Sequence, residues 1–279
     1  MVRASLSLML VCIPLLNAAA NAAAASPPIA QPTGKWVIEF EHERCTAARA
    51  YSDGKTEFAI GFQPIPTLGF DELIVQIPKT VKGLEYFGAQ LWLGGGERID
   101  AHARAVGTTK PGLSRYSVDV GRNEVERLVQ NPDLRIASDE GPPVHVRLDQ
   151  FPEVAKTLKE CEAGLLEEWG LSRPAQQSLK SFPQPKAEPA AYFFDEDYPT
   201  KAVQSGAIGA IQARITVNTD GRPVDCHIMQ TSGHKDLDDA TCVIFVKRAR
   251  FEPARDKSGN AVVSPSVFRV TWWTGISGI

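Results

Sequence analysis

Little of the chemistry that enzymes display in sequence is present in this chain. It has no G-x-S-x-G nucleophile turn, no H-E-x-x-H metal pair and no glycine-rich loop leading into Lys-Ser/Thr; Gly94–Gly96 reads as a turn. Its histidines, His42, His102, His145, His227 and His234, are scattered, and none stands at ligand spacing or beside a nucleophile. The acid pairs Asp71-Glu72, Asp139-Glu140 and Glu167-Glu168 read as solvated. Neighbours on a strand point apart, whereas catalytic carboxylates must converge. There is no C-x-x-C and no block of like charge. The formal charge is only −3 over 279 residues, so nucleic acid and anionic membrane surfaces are poor partners. No cofactor, no metal and no enzymatic activity are expected.

What is present begins with an N-terminus unlike the rest. Arg3 precedes the apolar run LSLMLVCIPLL, and the Ala-rich NAAANAAAA follows. Small residues fit several cuts between Ala20 and Ser26. Residues 1–25 therefore read as a secretory signal peptide. The competing reading is an uncleaved anchor. A spanning helix needs about 20 strongly apolar residues, and Pro14, Asn17, Asn21 and many alanines weaken this one.

Removing the signal leaves Cys45, Cys161, Cys226 and Cys242. An even count in an exported chain suggests disulfides. Of the possible pairings, chain order favours Cys45–Cys161 and Cys226–Cys242. The second would close a short loop, worth about 3 kcal/mol in the chain-entropy model. A metal site of Cys226, His227, His234 and Cys242 is the alternative, on irregular spacing.

The fold class expected is α+β, in two modules. Residues 26–34 form a leader. Residues 35–171 are β-rich: WVIEFEHERC, TEFAIGFQ, DELIVQI, AQLWLGG and VHVRLDQ are short strand-like runs between turns. GRNEVERLVQNPD holds a short helix with Asn123 as N-cap and Pro132 as stop. Val154, Leu158, Cys161, Leu165 and Leu166 lie at helical spacing, so a helix closes this domain before Gly170. Residues 172–197 carry four prolines and read as a partly polyproline-like linker.

Residues 198–279 form the second module. Tyr198-Pro199 opens a short helix that Gly206 ends. Ile208 to Asn218 alternates, TDGR turns, and Val224 to Gln230 returns. Ser232-Gly233 breaks the strand. LDDATCVIFVKRARF is a helix with acids first and bases last, which suits its dipole. Ala261 to Trp273 is the third strand. Trp272-Trp273 is either a binding platform, as paired aromatics on an exposed edge often are, or, since a strand alternates sides, one ring in the core and the other over a helix. Two helices on three antiparallel strands leave at least one sheet edge open.

Tyr198-Pro199, Ala202, Gly206, Gly209, Val217, Asp220-Gly221, Ser232-Gly233, Leu237-Asp238, Ala240, Ala249-Arg250-Phe251, Pro253-Ala254 and Gly259 stand in a definite order. In that order the module, about residues 198–273, resembles the C-terminal domain of the TonB family of energy transducers. The resemblance implies a periplasmic protein whose C-terminal domain binds extended segments of outer-membrane receptors by strand addition. Carried over by position, it implies partner contacts at Tyr198, Pro199, Val267, Phe268, Arg269, Val270, Thr271, Trp272 and Trp273. Two departures stand against a full transducer. A signal peptide stands where the family has its anchor, and a β-rich domain replaces the long arm. Only an uncleaved anchor, an inner-membrane protein, would bring ExbB–ExbD into play as partners. Asp195-Glu196-Asp197, where polar amides are usual, is expected to favour a basic segment over an acidic one. The N-terminal domain, 35–171, carries no recognised activity; a hydrolase or ligand-binding role would require a pocket there.

Overall fold

The computed structural model describes residues 27–41, 43–81, 83–108 and 110–273. The signal-peptide and anchor readings, and His42, lie outside the described residues. Among the described residues, no helix is long and apolar enough to cross a membrane.

The architecture is α+β. The N-terminal runs rich in β-branched and aromatic residues form a ten-stranded antiparallel sheet. Its order is Gln31–Pro32, Arg44–Ser52, Glu57–Pro64, Phe70–Ile77, Ser114–Gly121, Ile99–Gly107, Leu84–Leu93, Asp133–Ser138 and Val144–Arg147, with Val37–Glu41 also on Arg44–Ser52. The two ends meet. The Ala30 N–H donates to the His145 carbonyl at 2.8 Å, and Ala30 bridges Val146, so the sheet is nearly closed. Closure hides edges that would otherwise pair with other chains.

The helix Phe151–Glu168 packs across Arg44–Ser52 and Glu57–Pro64. It buries Phe151, Val154, Leu158, Leu165 and Leu166, and the Phe151 ring lies 4.6 Å from that of Phe62. Each such side chain contributes about 1.5–3 kcal/mol on leaving water. Cys161 on this helix is bonded to Cys45 on the strand beneath it, Cα to Cα 6.2 Å. The helix Arg122–Gln130 starts at Gly121, not at Asn123. The strand before it runs straight into the first turn, so no loop residue is left to serve as a side-chain cap.

Residues 172–197 are not a free connector. They hold a short helix, Arg173–Ser178, then two short strands. Leu179–Ser181 pairs with Ala254–Asp256, and Gln184–Pro185 with Phe251–Glu252. Two single-turn 3₁₀ helices follow, Pro189–Tyr192 and Asp195–Asp197. Pro174 and Pro189 sit at helix starts, Pro185 in a short edge pairing and Pro183 just before it, positions that ask for no ladder N–H.

In the C-terminal module, Thr200–Ser205 is a helix ended by Gly206 at φ 63°. The strand Gly209–Val217 lies between Pro223–Gln230 and Ser264–Trp272 in a three-stranded antiparallel sheet. Gly221 turns the hairpin at φ 74°; a Cβ there would come within 2.0 Å of the Phe251 carbonyl oxygen. The helix Lys235–Arg248 covers one face through Leu237, Thr241, Ile244 and Phe245, and Cys242 is bonded to Cys226 on the strand below. The two thiols are thereby used, which removes the Cys/His metal alternative. The expected third strand is split. Ala261–Val262 pairs with Ala254–Asp256 outside the main sheet, and the sheet strand begins at Ser264.

The Ser-Gly break has a simple cause. The Asp238 carboxylate accepts from the Thr231 hydroxyl, the Ser232 N–H and the Ser232 hydroxyl. One side chain in the helix's first turn thus ties down the turn before it. The spacing from Ser232-Gly233 to Leu237-Asp238 is the sequence trace of this contact.

Candidate functional site: the outer edge of the C-terminal sheet

Among the described residues, the strand Ser264–Trp272 pairs on one side only, with Gly209–Val217. Its side chains divide between two faces. Phe268, Val270 and Trp272 turn to the helix side. The Trp272 indole N–H donates to the Thr241 hydroxyl at 2.8 Å, and its ring meets those of Phe193 and Tyr198 edge-on at 5.7 and 5.1 Å. Tyr198 in turn donates its hydroxyl hydrogen to the Ala207 carbonyl. Trp273, one residue on, is 60% exposed. The pair therefore divides as strand alternation requires, one ring inside and one outside.

Val267, Arg269 and Thr271 turn the other way and meet the N-terminal module. Val267 is fully buried within the N-terminal core. The Arg269 guanidinium bonds Asp119 and lies 5.2 Å from the centre of the Phe70 ring. Thr271 and Tyr86 share a hydroxyl hydrogen bond at 3.0 Å. Farther across the sheet, Arg214 stacks over Trp169 at 5.1 Å and His227 meets Glu43 at 3.2 Å.

This packing overturns the reading of Asp71-Glu72 as a solvated pair. The two side chains do point to opposite sides of their strand, but both sides are covered. Glu72 is 5% exposed and bonds Arg104 and Arg115. Burial pushes its carboxyl up, but Arg115, Arg269 and Arg104 outweigh that and hold it below the usual range. Asp71 faces the helix side near Arg122 and Glu162. There burial dominates and raises it to about 6, with Arg122 opposing and Glu162 adding. Sequence alone separates the two modules and so leaves the face beyond Glu72 to water.

The main-chain groups of the edge strand alternate as well. The Val267 N–H points away from its ladder partner, since it donates to the Thr67 hydroxyl at 2.8 Å. With a period of two, the main-chain groups of Arg269 and Thr271 face outward too. Two adjoining depressions run along this edge. One, about 270 Å³, is floored by Arg269–Trp273 and walled by Phe193, Phe194 and Tyr198. The other, about 440 Å³, lies between Thr67–Phe70, Pro183–Pro185 and Ser266–Arg269, with Arg104 and Asp119 at its back. They share Pro189 and Arg269. Of the residues the resemblance pointed to, Tyr198 and Val267 to Trp273 lie along this cleft. Pro199 caps the short helix beside it and lines neither depression. The N-terminal residues Thr67, Phe70, Arg104 and Asp119 were missed, because nothing in sequence joins positions so distant.

The acidic stretch is less exposed to the cleft than expected. Asp197 accepts from both terminal guanidinium nitrogens of Arg248 and from the Phe194 N–H, and the Arg248 hydrogen bond holds its carboxyl below the usual range. Of the three acids, Asp195 alone lines the aromatic depression.

Among the described residues, the cavity enclosed by the N-terminal sheet is small. The cavity there, bounded by Val75, Phe87, Tyr116 and Ile136, is about 20 Å³, room for one water at most. Two open depressions lie on its outer surface: one, about 320 Å³, gathers Asp100, His102, Ser138 and Asp139, and the other, about 470 Å³, gathers Glu39, Glu41, Arg44 and Arg115.

No curated protein and no solved structure matches the chain. Residues 195–272 match the family model described as the Gram-negative bacterial TonB protein C-terminal. The C-terminal part of this chain is thus a TonB C-terminal domain.

Proposed function

We propose that this is an exported periplasmic protein that binds extended segments of other envelope proteins, outer-membrane receptors among them, by adding a strand to Ser264–Trp272. One observation carries the reading: among the described residues that strand is unpaired on its outer side, and a cleft follows it from Ser266 to Trp273. Main-chain pairing supplies affinity in such complexes, and alternate side-chain pockets supply selectivity. Phe193, Tyr198 and Trp272 offer an apolar, rigid cup of the kind that anchors interfaces. The role is binding, not catalysis. The two disulfides suit an oxidising compartment. The N-terminal module serves as the second wall of the cleft, through Thr67, Phe70 and Arg104.

The test is titration of the protein with synthetic N-terminal segments of outer-membrane receptors. Binding in the micromolar range, abolished by Thr271→Pro, supports strand addition. Proline at 271 removes an outward N–H without touching the ladder to Gly209–Val217. Absence of binding at high micromolar segment overturns the proposal.

A further inference from the structure

At the back of the larger depression, which Arg104, Asp119 and Arg269 line, three guanidiniums meet two carboxylates. Glu72 and Asp119 sit directly opposite one another on paired strands. Like charges in that position repel, so the pair needs cations. Arg104 bonds both, at 3.0 Å to each. Arg115 bonds Glu72 at 2.8 Å. Arg269, from the other module, bonds Asp119. The cluster therefore carries one positive charge in excess. The excess has an address. Among the described residues the Arg269 Nη2 is buried with no hydrogen-bond partner; a Glu72 oxygen lies 3.8 Å from it. An unmet charged donor in a shielded place is costly, and a carboxylate is the group that satisfies it best.

Arg269 stands on the outer strand itself, and both it and Arg104 line the depression. A segment paired with that strand places alternate side chains on the two faces. Those on the N-terminal side pass Arg269 and Arg104. Those on the other side pass the cup of Phe193, Tyr198 and Trp272. We infer that the joint between the two modules is a carboxylate subsite, and that the preferred occupant is an extended segment with an acidic residue flanked on both sides by apolar ones. This rests on strand addition at the same edge. It reverses the charge preference that Asp195-Glu196-Asp197 suggested, because Asp197 is held by Arg248 while Arg269 keeps an unmet donor.

The experiment uses the full protein and three blocked heptapeptides of alternating valine and serine, with glutamate, glutamine or lysine at the central position between two valines. Calorimetry at low and at physiological salt gives each Kd. The glutamate peptide is expected to bind about tenfold tighter than the glutamine peptide, with the gap narrowing as salt rises. Asp119→Asn, which frees a guanidinium bond, is expected to tighten the glutamate peptide alone by several-fold. Arg269→Gln is expected to abolish the preference while glutamine-peptide binding persists. Thermal melting of each variant shows whether the modules stay folded, and Asp119→Asn alone suffices if Arg269→Gln does not. Equal binding of all three peptides, or a lysine preference, overturns the carboxylate subsite and leaves strand addition standing. No binding of any peptide overturns both.

Discussion

The Thr67 hydroxyl accepts the Val267 N–H at 2.8 Å, across 200 positions of sequence. A side-chain oxygen of the N-terminal module thus takes the place that a partner strand's carbonyl would take. Thr67 does so from a left-handed conformation, φ 72°. That is a costly position for a β-branched residue. Strain of this kind persists where its surroundings enforce it. The contact caps one end of the open edge and leaves Arg269 and Thr271 for a partner.

Thr67→Val keeps the shape and the backbone cost but removes the oxygen. A buried N–H left without an acceptor costs about 1–3 kcal/mol. Amide exchange at Val267 is expected to accelerate at least tenfold, with Phe268 and Val270 unchanged. Unaltered exchange at Val267 would mean that Thr67 does not cap the strand.

The Asp71 carboxyl, raised from 3.8 to about 6, makes stability depend on pH. Below the unfolded value both states hold the proton and there is no penalty. As pH rises through about 6, the unfolded chain has released it and the folded chain must ionise a buried group. Stability therefore falls between about pH 4 and 6 by an amount on the order of 2–3 kcal/mol. Asp71→Asn is expected to be neutral near pH 4 and stabilising by that amount at pH 7. Denaturant melts at the two pH values check this; a destabilised variant at pH 7 would show that Arg122 holds Asp71 ionised.

The two disulfides close loops of very different size, with separations of 116 and 16. In the chain-entropy model, removal costs about 5 kcal/mol for Cys45–Cys161 and about 3 kcal/mol for Cys226–Cys242. Paired Cys→Ser variants, followed by melting, test the order. A larger loss from the shorter loop would point to native-state contacts as the main term.

Trp272→Phe leaves the Thr241 hydroxyl without its indole donor and opens space against Phe193 and Tyr198. A loss of about 2 kcal/mol is expected. Trp273→Ala, at an exposed site, is expected to leave stability within about 0.5 kcal/mol of the parent.

Local patterns were legible in sequence because their causes are local. The turn at Gly221, the helix end at Gly206 and the Ser232–Asp238 tie each sit within seven residues. The disulfide pairing followed from chain order. The pairing of residues 179–185 with 251–256 did not show, since proline content speaks only of local stiffness. The contact between modules did not show either. Glu72, Asp119 and Arg269 are ordinary surface residues in any window of sequence, and only the fold puts them against one another.

Amide hydrogen exchange of the described chain, with and without a saturating extended peptide, tests the central claim most directly. Strand addition at Ser264–Trp272 predicts slowed exchange at Arg269 and Thr271, whose N–H groups face outward, with little change along Pro223–Gln230 at the opposite edge. Protection confined to Pro223–Gln230, or none at Arg269 and Thr271 under saturation, would contradict it.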